Sequence, residues 1–525
     1  MTPMYLACKE NHLEAIKMLV SYKADINIRE KSRWSSLHTA SYSNYKEVVA
    51  YLCDQNAAGI NLSNKKGSSP LHLACQRGNE DIVTLLLRHG ASINHCNEKR
   101  LTPFQLACSN GNTNIVELVI EMGAIDNKVI EHGNLLLACK GWHNETAVVL
   151  LENGAGVNNH DENARTSLFI AAEDGNIDLI KILMEHDADV NFQMNNGMTP
   201  VHVACETNHL EAVKMLVKYK ADINKCESRL HLACKEGNTS IVELLIKAGA
   251  VVNKVNGTGN SPLLLACNDR YKETTLVLLE NDADVNYSDE NGRTSLHSAA
   301  EDENTNIIKM LVDHDADVNF QMNNGMTPIY FACENNHLEA VKMLVKYKAD
   351  INKCEETGWT PLHIASRANH HEIVAYLCEN SSAEVNHFNK YGKTPLHLSC
   401  QEGNEDTVKL LLKHSASINY CDKGGFTPLH VACSEGNCNI VKLLFKDDAA
   451  VNLPDRNGRM PLYIACQTKC NDVIELLLTR EVEVNKAAQV QSQEGWTPLL
   501  VSASSGDLRI TELLLKNNAT VNLND

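Results

Sequence analysis

The sequence predicts an all-α solenoid of stacked helix-turn-helix units joined by short β-hairpin fingers, and three observations support this fold class. The stretch NHLEAVKMLVKYKADINKC occurs at residues 208–226 and, unchanged, at residues 336–354. A phrase of the form TPLHxAC returns along the chain, mostly at intervals of 33 residues. Apolar residues within the phrase follow helical spacing, as in Leu429, Val431 and Ala432. A verbatim copy indicates a structural unit laid down many times, whereas an enzyme needs its catalytic groups once.

The first helix of each unit has a recognisable start. The phrase occurs in sixteen units, which begin at residues 2, 35, 69, 102, 133, 166, 199, 228, 261, 294, 327, 360, 394, 427, 460 and 497. Thr or Ser usually stands first, and its hydroxyl is expected to accept a hydrogen bond from a free N–H of the first helical turn. Pro commonly follows, at a position where no N–H is needed. The sixth position is always Ala or Ser, so two helices can approach closely.

A turn and a second helix complete each unit. The tenth position is Gly or Asn in twelve units, and these residues best tolerate a left-handed helix end. Trp142, Arg270, Glu303 and Lys469 are the exceptions, and we expect their turns to be strained or rearranged. After the second helix, a closing Asn appears in all sixteen units. Such a unit is too small to bury its own apolar face and must stack on its neighbours.

This pattern resembles the ankyrin repeat. The TPLHxA phrase, the Gly at the inter-helix turn and the terminal Val-Asn match the motif of that family along nearly the whole chain. The resemblance implies an ankyrin-repeat solenoid, with one continuous array over residues 1–525. Neither terminal unit looks like a polar capping repeat, which favours a segment of a longer protein.

Three hairpins depart from the repeat length. The hairpin before Ser228 lacks four residues, so residues 225–230 predict a notch in the row of fingers. This notch suggests two sub-stacks, 1–224 and 225–525. The hairpin before Gly133 is also shortened, and the one before Thr497 is about four residues longer.

Composition and charge exclude several classes of function. Asp and Glu outnumber Lys and Arg by 66 to 48, and a net charge of −18 argues against nucleic acid as the ligand. No apolar run approaches the length of a transmembrane helix, so we expect no membrane insertion. The N-terminus has no basic segment followed by an apolar block, so it is not a signal peptide. An odd cysteine count in a chain of this size favours a reducing compartment, the cytoplasm or the nucleus.

The repeated His and Cys residues are interpreted as structural. Eleven of the 19 cysteines share one register, from Cys8 to Cys466, where a small core residue is wanted. Eight units place His at the fourth position, where it can donate to nearby backbone and tie adjacent hairpins together: His38, His72, His202, His231, His297, His363, His397 and His430. We therefore expect no catalytic residues, no metal site and no cofactor, and the chain is not predicted to be an enzyme.

The resemblance implies that the chain binds partner proteins through a concave face of hairpin tips and first helices. We expect a non-catalytic scaffold that is monomeric unless its termini pair. The alternative is a regulatory or anchoring segment of a larger enzyme, channel or effector. The residues expected to anchor a partner are large apolar side chains near hairpin tips: Trp359, Tyr391, Phe426, Met198, Met326, Trp34 and Trp496. The family resemblance also implies that an asparaginyl hydroxylase could modify Asn191, Asn286 or Asn319, although a structural role explains every closing Asn without it.

Overall fold

The chain folds into paired helices that repeat along its whole described length. The computed structural model describes residues 2–55, 59–123, 133–224, 229–380, 383–490 and 493–521. Two compact units divide the chain: Met1–Ala233 with Asn238–Val251, and Cys234–Gly237 with Val252–Asp525. The hairpins predicted to be short fall at residues 124–132 and 225–228, which lie outside the described residues, so the proposed boundary at 224 and 225 stays a prediction.

Sixteen helices of the described residues begin in the first unit. They are α1 (Pro3–Lys9), α2 (Leu13–Ser21), α3 (Ser36–Tyr42), α4 (Lys46–Cys53), α5 (Pro70–Arg77), α6 (Glu80–Arg88), α7 (Pro103–Ser109), α8 (Thr113–Glu121), α9 (Asn134–Lys140), α10 (Asn144–Glu152), α11 (Ser167–Glu173), α12 (Ile177–Glu185), α13 (Pro200–Glu206), α14 (Leu210–Lys218), α15 (Arg229–Lys235) and α16 (Thr239–Lys247).

The second unit continues the same alternation. Its elements are α17 (Pro262–Asn268), α18 (Lys272–Glu280), α19 (Ser295–Glu301), α20 (Thr305–Asp313), α21 (Pro328–Glu334), α22 (Leu338–Lys346), α23 (Pro361–Arg367), α24 (His371–Glu379), α25 (Pro395–Glu402), α26 (Glu405–Lys413), α27 (Pro428–Ser434), α28 (Cys438–Lys446), α29 (Pro461–Gln467), α30 (Asn471–Leu477), β1 (Gln489–Val490), β2 (Gln493–Glu494), α31 (Pro498–Ser504) and α32 (Leu508–Lys516).

The capping phrase starts the first helix of most repeats as predicted. In α27, the hydroxyl of Thr427 accepts from the backbone N–H of His430 at 3.3 Å. The imidazole Nδ1 of His430 in turn accepts from the backbone N–H of Thr427 at 3.1 Å. This reciprocal pair is a capping box, in which His takes the role that Glu or Gln usually has. Gln105 forms the same box with Thr102 at the start of α7.

The turn between the two helices is left-handed in all four exceptional units as well. Trp142, Arg270, Glu303 and Lys469 have φ angles of 61°, 65°, 55° and 60°. The prediction of strain is therefore confirmed, and the turns are not rearranged. A side chain in this conformation costs about 1–2 kcal/mol, because its Cβ crowds the following carbonyl oxygen. The flanking helices hold the turn in place despite that cost.

Among the helices that the structure describes, the extensive contacts join neighbours in the stack. Within each unit, extensive helix contacts join the two helices of one repeat and the equivalent helices of adjacent repeats. The small residue at the sixth position is buried at these contacts, as Ala332 and Ser399 are, with no exposed surface. This arrangement confirms the solenoid fold, since each repeat buries its apolar face against the next one.

The closing asparagines tie each repeat to the one that follows. Asn286 Oδ1 accepts from the backbone N–H of Asp317 at 2.7 Å, and its amide donates to the carbonyl of Asp315 at 3.1 Å. Asn319 bonds Asp350 in the same way at 2.7 Å, and Asn191 bonds Asp222 in the first unit at 2.7 Å. The asparagine side chain thus satisfies backbone groups that a loop would otherwise leave to solvent.

The fingers are tight turns more than strands. Two isolated bridges and one two-residue ladder are the extended pairings among the described residues. That ladder joins β1 to β2, which belong to the lengthened hairpin before Thr497. Extra chain length there allows two more backbone pairs, as expected for a longer hairpin.

A buried arginine marks the repeat that follows the shortened hairpin. Arg229 stands where most repeats carry Pro, and only 1% of its surface is exposed. Its guanidinium donates from Nε to His202 Nδ1 at 3.2 Å and from Nη2 to Thr199 Oγ1 at 3.1 Å, and Nη1 donates to the carbonyl of Asp222. The arginine therefore reaches back and bonds the capping residues of the preceding repeat.

Candidate protein-binding surface

The repeated histidines hold the stack together. The Nε2 atom of His363 lies 3.1 Å from the carbonyl oxygen of Lys393, and that of His430 lies 3.1 Å from the carbonyl oxygen of Arg459. Each imidazole therefore caps its own helix through Nδ1 and bonds the next finger through Nε2. Burial lowers the pKa of His363 to about 4, so its ring is neutral near pH 7 and can donate and accept at once. Equivalent ties at His38, His72, His297 and His397 confirm the structural interpretation for six of the eight histidines.

The cysteines of the shared register are core residues. All eleven are buried, from Cys8 to Cys466, and all are free thiols. Burial raises the pKa of Cys8 to about 11 and that of Cys466 to about 12, so these thiols stay protonated. The part of the chain that the structure describes holds no group of three His, Cys, Asp or Glu side chains that could bind a metal ion. Likewise, none of the described helices is long and apolar enough to cross a bilayer.

An open groove of about 670 Å³ lies in the second unit, between successive fingers and the first helices behind them. Trp359 and Tyr391, from two successive fingers, both line it. The remaining lining comes from α23, α25, the finger of Tyr391 itself and the next finger: Arg367, Asn389, Lys393, Leu398, Gln401, Glu402, Asp422, Lys423 and Gly424. Arg367, Gln401 and Glu402 occupy the eighth and ninth positions of their repeats, and the residue type at these positions varies along the chain. The residues that line the groove therefore differ from repeat to repeat, whereas the core residues behind them do not.

Trp359 is half-buried and held in one orientation. The Arg367 guanidinium lies 5.5 Å from the centroid of its ring, and the His363 ring lies 6.1 Å away. Its backbone N–H donates to Glu355 Oε1 at 3.0 Å. Arg367 is also paired with Glu402 across the groove at 3.6 Å. A ring fixed in this way loses little conformational entropy when a partner covers it.

Tyr391 and Phe426 differ in their surroundings. Tyr391 is 55% exposed and lies two residues nearer the finger tip than the other six candidates, with Lys390 Nζ 5.5 Å from its ring centroid. Phe426 is half-buried between the His430 ring at 5.6 Å and the Arg459 guanidinium at 5.4 Å. The groove thus brings Trp359 and Tyr391 together, while Phe426 lies outside its lining.

The other four candidates lie in separate fingers and are half-buried: Trp34, Met198, Met326 and Trp496. Trp34 packs edge-on against Tyr42 with ring centroids 5.5 Å apart. The carbonyl oxygen of Met326 accepts from His297 Nε2 at 3.3 Å, so its backbone belongs to the histidine ties. As partner contacts, all four stay predictions.

Sequence reasoning missed an aromatic stack beside this surface. Phe388 is 53% exposed and stacks on Tyr420 of the next finger, with ring centroids 5.9 Å apart and planes 24° apart. The ring of His387 also stacks on Phe388, with ring centroids 6.1 Å apart. The available signal was a ring side chain one or two positions after the closing Asn, as in Asn386-His387-Phe388 and Asn419-Tyr420.

Comparison with known proteins agrees with this architecture. The family described as "Ankyrin repeats (3 copies)" matches residues 1–64, 55–130, 135–226, 230–322, 315–389, 381–455 and 448–525. Transient receptor potential cation channel subfamily A member 1 of Homo sapiens is 29% identical over 89 residues, which cover 17% of this chain and 8% of that protein. The putative ankyrin repeat protein FPV222 of fowlpox virus (strain NVSL) is 32% identical over 89 residues, covering 17% of this chain and 12% of that protein.

A protein kinase also appears among the relatives. The serine/threonine-protein kinase TNNI3K of Mus musculus is 30% identical over 92 residues, covering 17% of this chain and 11% of the kinase. The chain therefore spans between 8% and 12% of the length of these three relatives. The family match, by contrast, covers nearly every residue, together with the helix pairs and finger turns described above. The chain belongs to the ankyrin-repeat family.

Proposed function

We propose that the chain is a non-catalytic protein–protein interaction scaffold and that a partner protein binds at the groove between Trp359 and Tyr391. The observation that carries this proposal is the pairing of these two large aromatic side chains in one open groove. Trp and Tyr are the residues most often responsible for binding energy at interfaces, since they bury much area at small entropic cost. Ankyrin repeats as a class are protein-interaction modules, which agrees with this assignment.

The groove has the composition of an interface core with a polar rim. Trp359 supplies an oriented ring, and the side chains of Lys393 and Gln401 bond each other at 2.6 Å along the wall. Arg367 covers one face of the indole and also lines the groove. Because fingers and first helices of the stack carry these groups, a partner meets a surface that is already arranged.

The test compares proteins captured from a cell extract by the wild-type chain and by a Trp359→Ala/Tyr391→Ala variant. We expect one or more specific partners to be lost, and a purified partner to bind the variant roughly tenfold more weakly or worse. Tyr22→Ala is the matched control, because Tyr22 is a highly exposed aromatic residue in the first unit, at 83% exposure. An unchanged set of captured proteins in the double variant would contradict the proposal.

The alternative is a regulatory or anchoring segment of a larger enzyme, channel or effector. The names of two relatives, a cation channel and a protein kinase, favour keeping this reading. Both proposals place the partner on the same groove, and they differ in what the rest of the polypeptide does. Sequencing of the full-length transcript decides between them: a catalytic or membrane domain in the same reading frame supports the segment. We also propose a cytoplasmic location, on the basis of the free thiols.

A further inference from the structure

We propose that the groove binds an acidic peptide segment, whose carboxylates lie along a row of three cations at the finger tips. The cation row consists of Lys390, Lys423 and Arg456, which occupy equivalent positions in three successive fingers. This inference rests on the proposed function for the site itself and adds the chemistry of the partner.

The backbone fixes the cation row. The N–H of Lys390 donates to the carbonyl of Thr357 at 2.8 Å, and that of Lys423 donates to the carbonyl of Tyr391 at 3.0 Å. Arg456 makes the equivalent bond to Gly424 at 3.0 Å. Each tip is therefore bonded to the finger before it, and all three side chains are exposed. The result is a set of regularly spaced positive charges on a rigid support.

Asp422 and Asp455 lie next to this row but form no ion pair with its three cations. Asp422 Oδ1 accepts from the backbone N–H groups of Gly424 and Phe426 at 2.7 and 2.9 Å. Asp455 is buried, and its Oδ2 is paired with Arg459 at 2.8 Å. Both carboxylates are thus used inside their own fingers. Across the described ranges, the three row cations take part in none of the ion pairs.

In the second unit, the positive charge at this tip position is confined to these three fingers. At the same tip position, the preceding fingers of the second unit carry Gly257, Glu290, Asn323 and Glu356, and the following finger carries Gln489. In the first unit, Lys31 and Lys65 occupy this position as well. The chain as a whole has a net charge of −18, so these three cations, which form no ion pair with any described residue, make a local positive patch on an acidic protein. Within the second unit, a partner with complementary negative charge is attracted to this place and repelled by the acidic tips that precede it, which sets its position there.

The cation row and the aromatic groove are continuous. Lys423 belongs to the row and also lines the groove, and Lys390 lies beside Tyr391. The occupant therefore combines an apolar side chain, placed between Trp359 and Tyr391, with flanking Asp or Glu residues. Nucleic acid fits less well, since three cations surrounded by an acidic chain cannot follow a regular polyphosphate backbone.

The experiment selects short random peptides displayed on phage against the purified full chain. We expect the selected sequences to be rich in Asp and Glu around one apolar residue. A fluorescein-labelled copy of the best peptide is then titrated by anisotropy. Its affinity is expected to fall as salt is raised, and to fall roughly tenfold in a Lys390→Gln/Lys423→Gln/Arg456→Gln variant.

The matched control removes three other exposed cations with the same change in net charge. Lys346→Gln/Lys413→Gln/Lys446→Gln alters the last residues of α22, α26 and α28, outside the groove lining. We expect this variant to bind the peptide as the wild type does. Equal weakening in both triple variants overturns the proposal, because it reduces the effect to overall charge.

Two further outcomes separate this inference from the proposed function. If the selected peptides are neutral or basic and their binding requires Trp359 and Tyr391, the acidic chemistry of the partner is overturned, but the proposed binding site is supported. Selected peptides that no groove variant affects overturn both. A labelled single-stranded oligonucleotide serves as the last probe: tighter binding of this probe than of the acidic peptide, through the same cation row, assigns the row to nucleic acid instead.

Discussion

His397 Nε2 lies 3.0 Å from the carbonyl oxygen of Phe426, a residue of the next repeat. The same imidazole accepts at Nδ1 from the backbone N–H of Thr394 at 3.2 Å. One neutral ring therefore caps its own helix and bonds the following finger. The bond reaches the backbone of a candidate binding residue, so it couples the stability of the stack to the shape of the binding surface.

The first prediction concerns pH. Burial lowers the pKa of five of these histidines to about 4: His38, His72, His297, His363 and His397. In the unfolded chain their pKa is about 6.5, so between these values the unfolded state binds more protons than the folded state. The stability present above pH 6.5 is lost as the pH falls through this window, by about 1.4 kcal/mol per pH unit for each histidine.

The measurement is the thermal midpoint, followed by circular dichroism from about pH 7 to about pH 5, above the range in which ordinary carboxylates titrate. We expect the midpoint to fall steadily toward the acid end. A midpoint that stays constant across this range contradicts the neutral, buried state of the imidazoles.

The second prediction concerns His397 itself. His397→Ala leaves the Thr394 N–H and the Phe426 carbonyl without their partner, at a cost of about 1–3 kcal/mol for each buried group. His397→Gln is expected to cost less, because Gln105 forms the capping bond in its own repeat, where its Oε1 accepts from the Thr102 N–H at 3.0 Å. Urea denaturation midpoints rank the variants, and an Ala variant as stable as the Gln variant would refute the double role of the ring.

The third prediction concerns a strained turn. Lys469 has a φ of 60°, a left-handed conformation that glycine adopts without steric cost. Lys469→Gly is therefore expected to stabilise the fold by up to about 1 kcal/mol. Lys442→Gly, inside the helix Cys438–Lys446, is the matched control and is expected to destabilise by about 1 kcal/mol. Destabilisation of similar size in both variants rules out strain at the turn.

The fourth prediction concerns the packing of fingers. Gly392 has a φ of +79°, and a Cβ atom there would lie 2.5 Å from the backbone nitrogen of Lys423. Gly392→Ala must therefore displace the next finger, in addition to the cost of about 1–3 kcal/mol for a side chain in this conformation. We expect a lower denaturation midpoint and weaker binding of the acidic peptide.

Gly259→Ala supplies the comparison for that experiment. Gly259 has a similar φ of +73°, but a Cβ there would meet only the flexible side chain of Glu290, at 3.3 Å. It therefore shares the conformational cost and lacks the clash with backbone. If the two variants lose the same stability, the close approach of successive fingers contributes nothing.

Much of this fold could be predicted from sequence because its rules are local. A hydroxyl at residue 427 and an imidazole at residue 430 are three positions apart, so their capping box follows from helical geometry. The neighbour-only packing follows from a repeat too small to bury its own apolar face. The left-handed turns at Trp142 and Lys469 could be recognised only in the structure. The packing of the two flanking helices determines whether such a turn is strained or rearranged.

The candidate site was harder to predict, since it depends on which side chains of different fingers meet. Trp359 and Tyr391 were predicted as anchors and share a groove, but Phe426 turns to Arg459 instead. The stack of Phe388 on Tyr420 joins residues in successive fingers, and no periodic rule gives the angle between their rings. The repeat register predicts which residues occupy equivalent positions in successive fingers, whereas side-chain rotamers determine which of them face the same groove.

The asparagine ties have a mechanical consequence. The tie from Asn286 ends at Asp317 and the tie from Asn319 ends at Asp350, so each spans a single junction and none reaches the repeat beyond. A pulling force on the chain is carried through these junctions in series, and the weakest one yields while the others hold. Under force, the repeats will therefore unfold one at a time, and each unfolded repeat can refold against its folded neighbour.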